Sequence, residues 1–164
     1  MAQRLERMAR LEATPGGLTA RAARRLPMSR GLRATLLVVC SSLWLSGALW
    51  ALLHHLFPGH NDFGPLPNAW EAPLMRLHGL IAVAAVFLLG WIGASHIVVR
   101  WSTLANWRSG LGLLSCALVL VATGYALYYT TGGVHEAAGA LHEWLGLAAI
   151  GIALAHWLGV GTAR

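Results

Sequence analysis

The chain has 164 residues, of which 57% are hydrophobic and 11% charged, and its mean hydropathy is +0.59. A soluble domain of this size carries about 25% charged residues, so the composition excludes an ordinary water-soluble domain, and one compact bundle accounts for the length. The 12 basic residues, all arginine, outnumber 6 acidic ones, but eight of them (Arg4, Arg7, Arg10, Arg21, Arg24, Arg25, Arg30 and Arg33) precede the first apolar run; that is the charge asymmetry of membrane topology and argues against nucleic acid as the partner.

Residues 1–33 form a basic N-terminal segment broken at Pro15-Gly16-Gly17. Leu5, Met8 and Leu11 recur at near-helical spacing, which allows a short interfacial helix over residues 3–13; the plainer reading is a tail whose charge sets orientation. As a signal peptide it is unconvincing, because the apolar run after it is too long and lacks a small-x-small cleavage site. Four apolar segments then follow at 34–57, 73–99, 109–130 and 136–160. Each meets the ~20 residues needed to cross the hydrocarbon core, and in lipid such segments must be helical to satisfy their own backbone.

The connections are short. Residues 57–72 are rich in Pro, Gly and Asn and long enough for a small cap, residues 100–108 are basic, and residues 131–135 are a tight Gly-Gly turn. Trp70, Trp101, Trp107, Trp157, Tyr128 and Tyr129 lie near segment ends, where interfacial aromatics belong. Eleven arginines fall on one side of the membrane and only Arg76 on the other. The expected fold is therefore an all-α integral membrane four-helix bundle over residues 34–160, up-down-up-down. Both termini are cytoplasmic and the two outer loops periplasmic, as in a multi-pass protein of a bacterial-type inner membrane.

Cys40 and Cys116 both fall inside apolar segments and are expected to be small buried residues. No CxxCH motif is present, which excludes covalent c-type haem attachment, and there is no zinc spacing.

The chain has eight histidines, and ionisable residues within spanning segments are costly and tend to be functional. His54, His55, His60 and His135 lie at segment ends or in loops; His78, His96, His142 and His156 lie within the second and fourth segments. Those two run in the same direction, so His78 and His142 share a periplasmic-side depth, and His96 and His156 a cytoplasmic-side one. The helical phase agrees: at about 100° per residue, the 18-residue step from His78 to His96 returns to the same face, and the 14-residue step from His142 to His156 ends about 40° away.

Small residues lie between these histidines: Ala82, Ala85 and Leu89, with Gly93 beside them, and Gly146, Ala149 and Ala153. They would let a flat macrocycle approach the backbone, although close helix packing uses the same residues. Haem iron needs two axial imidazoles on opposite sides of a plane, which facing parallel helices supply. A zinc or di-iron site would want three or more ligands at one depth, usually with carboxylates, and the intramembrane candidates for those are Glu136 and Glu143. For a single histidine an interhelical hydrogen bond is the ordinary reading; four at matched depths favour metal ligation.

The segment LHEWLGLAAIGIALAHW (141–157), the LHG at 77–79 and the TGYALYY at 123–129 resemble the four-helix di-haem membrane cytochromes b, which include the cytochrome b subunits of formate dehydrogenase and nickel-iron hydrogenase. The resemblance covers residues 34–160. Those subunits take one ligand from the cytoplasmic end of their first helix, where this chain has no histidine; His96 on the second helix takes its place. Two ligands on each of two parallel helices is the arrangement of the cytochrome b in quinol:cytochrome c oxidoreductases. By that resemblance His78–His142 and His96–His156 would be the axial ligands of two bis-histidine b haems.

Along the helices the ligands are ~27 Å and ~21 Å apart, a difference of about one turn. Helix or haem tilt would absorb it; otherwise one pair fails, leaving one haem or letting His54 or His55 substitute for His78. Arg76, two residues before His78, and Arg100, four after His96, are placed to pair with haem propionates, although anchoring of helix ends explains Arg100 as well.

The function expected on these grounds is electron transfer across the membrane between two haems. The chain would be an electron-transfer subunit of a larger oxidoreductase complex, with a redox protein subunit or quinone as partner. Trp101, Asn106, Trp107 and Arg108 on one side, and His54, His55 and His60 on the other, offer polar groups to a quinone. The competing class is a non-redox membrane subunit whose histidines serve packing, metal passage or pigment binding.

Overall fold

A computed structural model describes residues 29–94 and 107–158. Four long helices dominate it: α1 (Arg30–Leu56), α2 (Glu71–Ile92), α3 (Trp107–Tyr129) and α4 (Gly132–Trp157). Each is long and apolar enough to cross a membrane. Between α1 and α2 lie two short strands, β1 (Gly59–Asn61) and β2 (Gly64–Leu66).

The helix ends follow from local chemistry. Ser29 caps α1, its hydroxyl accepting from the Leu32 N–H at 3.2 Å, so the helix begins before the apolar run does. It stops at Phe57 because Pro58 follows and cannot continue an α-helical ladder. At the start of α2 the Glu71 carboxylate accepts the Asn68 N–H at 2.7 Å, while the Glu71 N–H donates to the Asn68 carbonyl at 2.9 Å. This reciprocal pairing works as a capping box does.

The small cap expected between the first two helices is an antiparallel hairpin with Gly59 opposite Leu66 and Asn61 opposite Gly64. Its turn is held by Asn61, whose side-chain oxygen accepts the Phe63 N–H at 3.0 Å, the local bond that suits Asn to turns. The connection between α3 and α4 is shorter than the sequence suggests: α4 begins at Gly132 and not at residue 136. Gly132 has φ +63°, so one left-handed residue reverses the chain, and Gly133 to His135 become helical.

Helix α1 packs along α2, α3 packs along α4, and α1 also touches α4, where the Trp44 indole donates to the Leu147 carbonyl at 3.3 Å. Helices α2 and α4 have no comparable packing with each other. Along both packed pairs the contacts run in opposite chain order. His54 meets Glu71 and Ser46 meets His78; Thr123 meets His142 and Ser109 meets His156.

Among the described residues no large side chain is fully buried; the buried ones are Ser46, Ala51, Glu71, Cys116, Thr123 and Ala138. Apolar stripes such as Leu80, Val83 and Phe87 face outward on α2, at the spacing of one helix face, which is the composition lipid contact requires. Cys116 is buried as expected, but Cys40 is exposed.

Candidate functional site

His78 enters from α2 and His142 from α4. Their ring centroids lie 6.3 Å apart with the planes at 81°. The two helices that carry them do not pack together, so the rings approach across a gap between backbones. The fold thus brings together two residues that the sequence reading paired.

Each ring is held from behind by a different helix. His78 Nδ1 lies 3.0 Å from the Ser46 hydroxyl on α1, and His142 Nδ1 lies 2.9 Å from the Thr123 hydroxyl on α3. His156, one layer away on α4, repeats the arrangement, with Nδ1 3.2 Å from the Ser109 hydroxyl. Among the described residues no Nε2 of these three histidines makes a hydrogen bond. Nor, among the described residues, does any buried side-chain nitrogen or oxygen lack a partner, so each Nε2 opens onto accessible space.

Each hydroxyl is followed by a glycine, and each glycine lies against the same edge of an imidazole. A Cβ added at Gly47 would stand 3.1 Å from His78 Cε1, one at Gly124 3.2 Å from His142 Cε1, and one at Gly110 3.4 Å from His156 Cε1. Real Cβ atoms rarely come closer than the last of these values; the missing side chains let the rings seat. These glycines lie on the helices opposite the histidines. Of the small residues on the histidine helices, Gly146 faces Leu120, where a Cβ would find ordinary contact at 3.8 Å, so it serves the packing of α3 on α4. Gly79, beside His78, faces the Tyr128 hydroxyl of α3.

His96 and Arg100 lie outside the described residues. Arg76 is exposed in the first turns of α2. His54 and His55 are engaged in other pairs at the end of α1. His54 stacks on Trp50 at 4.8 Å and pairs with Glu71 at 3.1 Å, while His55 pairs with Glu143 at 2.6 Å. These bonds tie the end of α1 to α2 and to α4. Glu71 was not apparent as a structural carboxylate from the sequence; its signal is the Asn-x-x-Glu spacing at 68–71. His60 is exposed on β1, and His135 Nδ1 reaches the Thr130 carbonyl at 3.1 Å, at the end of α3.

Among the described residues there is no cluster of three or more His, Cys, Asp or Glu side chains suited to a metal ion; the potential ligands come as two facing imidazoles. An imidazole nitrogen binds a transition metal at about 2.0–2.1 Å and the ring centre lies roughly 1 Å behind it, so two imidazoles trans to one metal put their centroids about 6 Å apart. The His78–His142 separation has this value.

Comparison with protein-family models, with curated proteins and with solved structures returned no match.

Proposed function

We propose that the chain is a b-type di-haem membrane cytochrome that carries electrons across the membrane. One observation carries this reading: two imidazoles 6.3 Å apart, each held through Nδ1 by a flanking helix and each with Nε2 free of any described partner. An interhelical hydrogen bond in a membrane stabilises by only about 0.6 kcal/mol on average, a small gain set against the cost of ionisable residues in lipid. Packing alone is thus a weak reason for these histidines; metal ligation is a strong one.

In this reading His78 and His142 ligate one haem b from opposite faces, and His156 ligates a second with His96 opposite. The unpacked α2–α4 gap and the glycines at 47, 110 and 124 suit a bulky planar group that the imidazoles must approach squarely. Bound haem supplies reversible one-electron chemistry. The protein's part is ligation, exclusion of water and a fixed separation of the two layers.

The bundle is up-down-up-down, with the reversed contacts of α1 with α2 and α3 with α4 in support. The arginine distribution puts both termini in the cytoplasm of a bacterial-type cell and the hairpin in the periplasm. A subunit of this kind exchanges electrons with a redox partner subunit or with quinone, and Arg76 and Arg100 are the cations nearest the haem edges along the chain.

The test is the dithionite-reduced spectrum of the purified chain with a haem count per polypeptide. We expect the α-band of a b-type haem and two haems per chain, and one haem fewer in each of the single variants His142→Ala and His156→Ala. A colourless protein would overturn the reading and leave a non-redox membrane subunit. Unchanged haem content in both variants would overturn the ligand assignment.

A further inference from the structure

Three times in this fold a histidine of one helix lays its Nδ1–Cε1 edge across a hydroxyl–glycine pair of another: His78 on Ser46-Gly47, His142 on Thr123-Gly124 and His156 on Ser109-Gly110. The repeat is regular in sequence as well. Ser109 to Thr123 is a 14-residue step, the same as His142 to His156, with the order reversed between the two helices.

The hydrogen-bond directions follow from proton counting. A serine hydroxyl has one proton to donate. With that of Ser46 on the Leu43 carbonyl at 2.9 Å, the hydroxyl oxygen accepts at His78 Nδ1, and the ring nitrogen carries the hydrogen. Thr123 donates into its own helix in the same way, to the Val119 carbonyl at 2.8 Å with Leu120 at 3.2 Å, so it accepts from His142 Nδ1. A neutral imidazole has one N–H; with that hydrogen on Nδ1, the lone pair is on Nε2, the nitrogen that faces open space. Ring rotation is fixed too, because Nδ1 is tied to the hydroxyl while Cε1 rests on the glycine.

We propose that Ser46, Thr123 and Ser109 are positioning residues for the axial imidazoles, locking the ring planes of His78, His142 and His156, and at His78 and His142 the Nδ1–H tautomer, and thereby setting the reduction potentials of the haems. This rests on the haem reading above and adds to it a role for residues that touch no iron. An acceptor on the distal nitrogen raises the basicity of a metal-bound imidazole, which favours the ferric state. Removing the hydroxyl therefore raises the potential. The plane of each axial ring, and with it the 81° angle between His78 and His142, is also released.

The experiment is redox titration and ferric electron paramagnetic resonance of the purified full-length chain and of Ser46→Ala, Thr123→Ala, Ser109→Ala and the conservative Thr123→Ser. Ser46→Ala and Thr123→Ala should raise the midpoint of one and the same haem and alter its low-spin ferric signal. Ser109→Ala should alter the ferric signal of the other haem, and Thr123→Ser should restore both wild-type readouts. Haem affinity in the alanine variants should fall about 10–100-fold, the usual cost of losing such a partner.

Wild-type potentials and ferric signals in all three alanine variants, with two haems bound, would overturn the proposal while leaving the haem reading intact. So would Ser46→Ala and Thr123→Ala acting on different haems, or alanine variants that lose haem with no recovery in Thr123→Ser. A wild-type chain without haem overturns the haem reading itself, and this role with it.

Discussion

An imidazole inside an apolar helix has two nitrogens to satisfy, and a single hydroxyl on the next helix satisfies only one. His78, His142 and His156 each show this division, with Nδ1 engaged. At this scale the glycines give a prediction whose sign depends on position. Alanine normally stabilises a helix relative to glycine by about 1 kcal/mol. At Gly112 a Cβ would meet nothing within 4 Å among the described residues, so Gly112→Ala should raise stability by up to that amount in detergent unfolding. At Gly124 the Cβ would stand 3.2 Å from the His142 ring, and overpacking costs about 1–3 kcal/mol. Gly124→Ala should therefore lower stability and, on the proposed haem reading, disturb the ferric spectrum, where Gly112→Ala leaves it unchanged.

At the scale of elements, turns and caps decide where the helices meet. Gly132 reverses the chain with φ +63°, a conformation that costs other residues roughly 1–2 kcal/mol. Gly132→Ala should lower the unfolding midpoint and, on the proposed haem reading, leave the spectrum unchanged, because a Cβ there meets nothing within 4 Å among the described residues. Glu71 is buried and accepts from Asn68 and pairs with His54. Glu71→Ala leaves those partners unsatisfied, at about 1–3 kcal/mol, and should loosen the hairpin end of α1 and α2, read as faster backbone amide exchange over residues 58–72. Glu71→Gln keeps an acceptor and should lose less.

The helix boundaries show what was legible here. The four apolar segments and the loop rich in Pro, Gly and Asn could be read directly, since length and hydropathy are local properties. The start of α1 at Arg30 and of α4 at Gly132 could not, because they depend on a cap and a left-handed residue and not on apolar content.

For the whole molecule, the unequal packing is the informative feature. Two tightly packed helix pairs, α1 with α2 and α3 with α4, meet through α1 and α4, while α2 and α4 face one another across the imidazoles. Orientation in the membrane is the matching prediction. In a background with Cys40→Ser and Cys116→Ser, a cysteine at His60 on the exposed hairpin should react with a membrane-impermeant maleimide from the periplasmic side only, and one at Ala2 only after the membrane is opened. The opposite pattern would reverse the topology.

The sequence by itself determined the four apolar helices, the charge asymmetry and the helical phase of His142 and His156, because periodicity and composition need no knowledge of neighbours. Only the tertiary structure decided what stands behind each imidazole. Ser46 and His78 are 32 residues apart, Thr123 and His142 19, and Ser109 and His156 47, and a serine or threonine in an apolar run looks alike whether it bonds its own helix or also receives a ring from another. Which helices pair, and in what register, sets that choice, and pairing is a property of surfaces that meet only once the chain has folded.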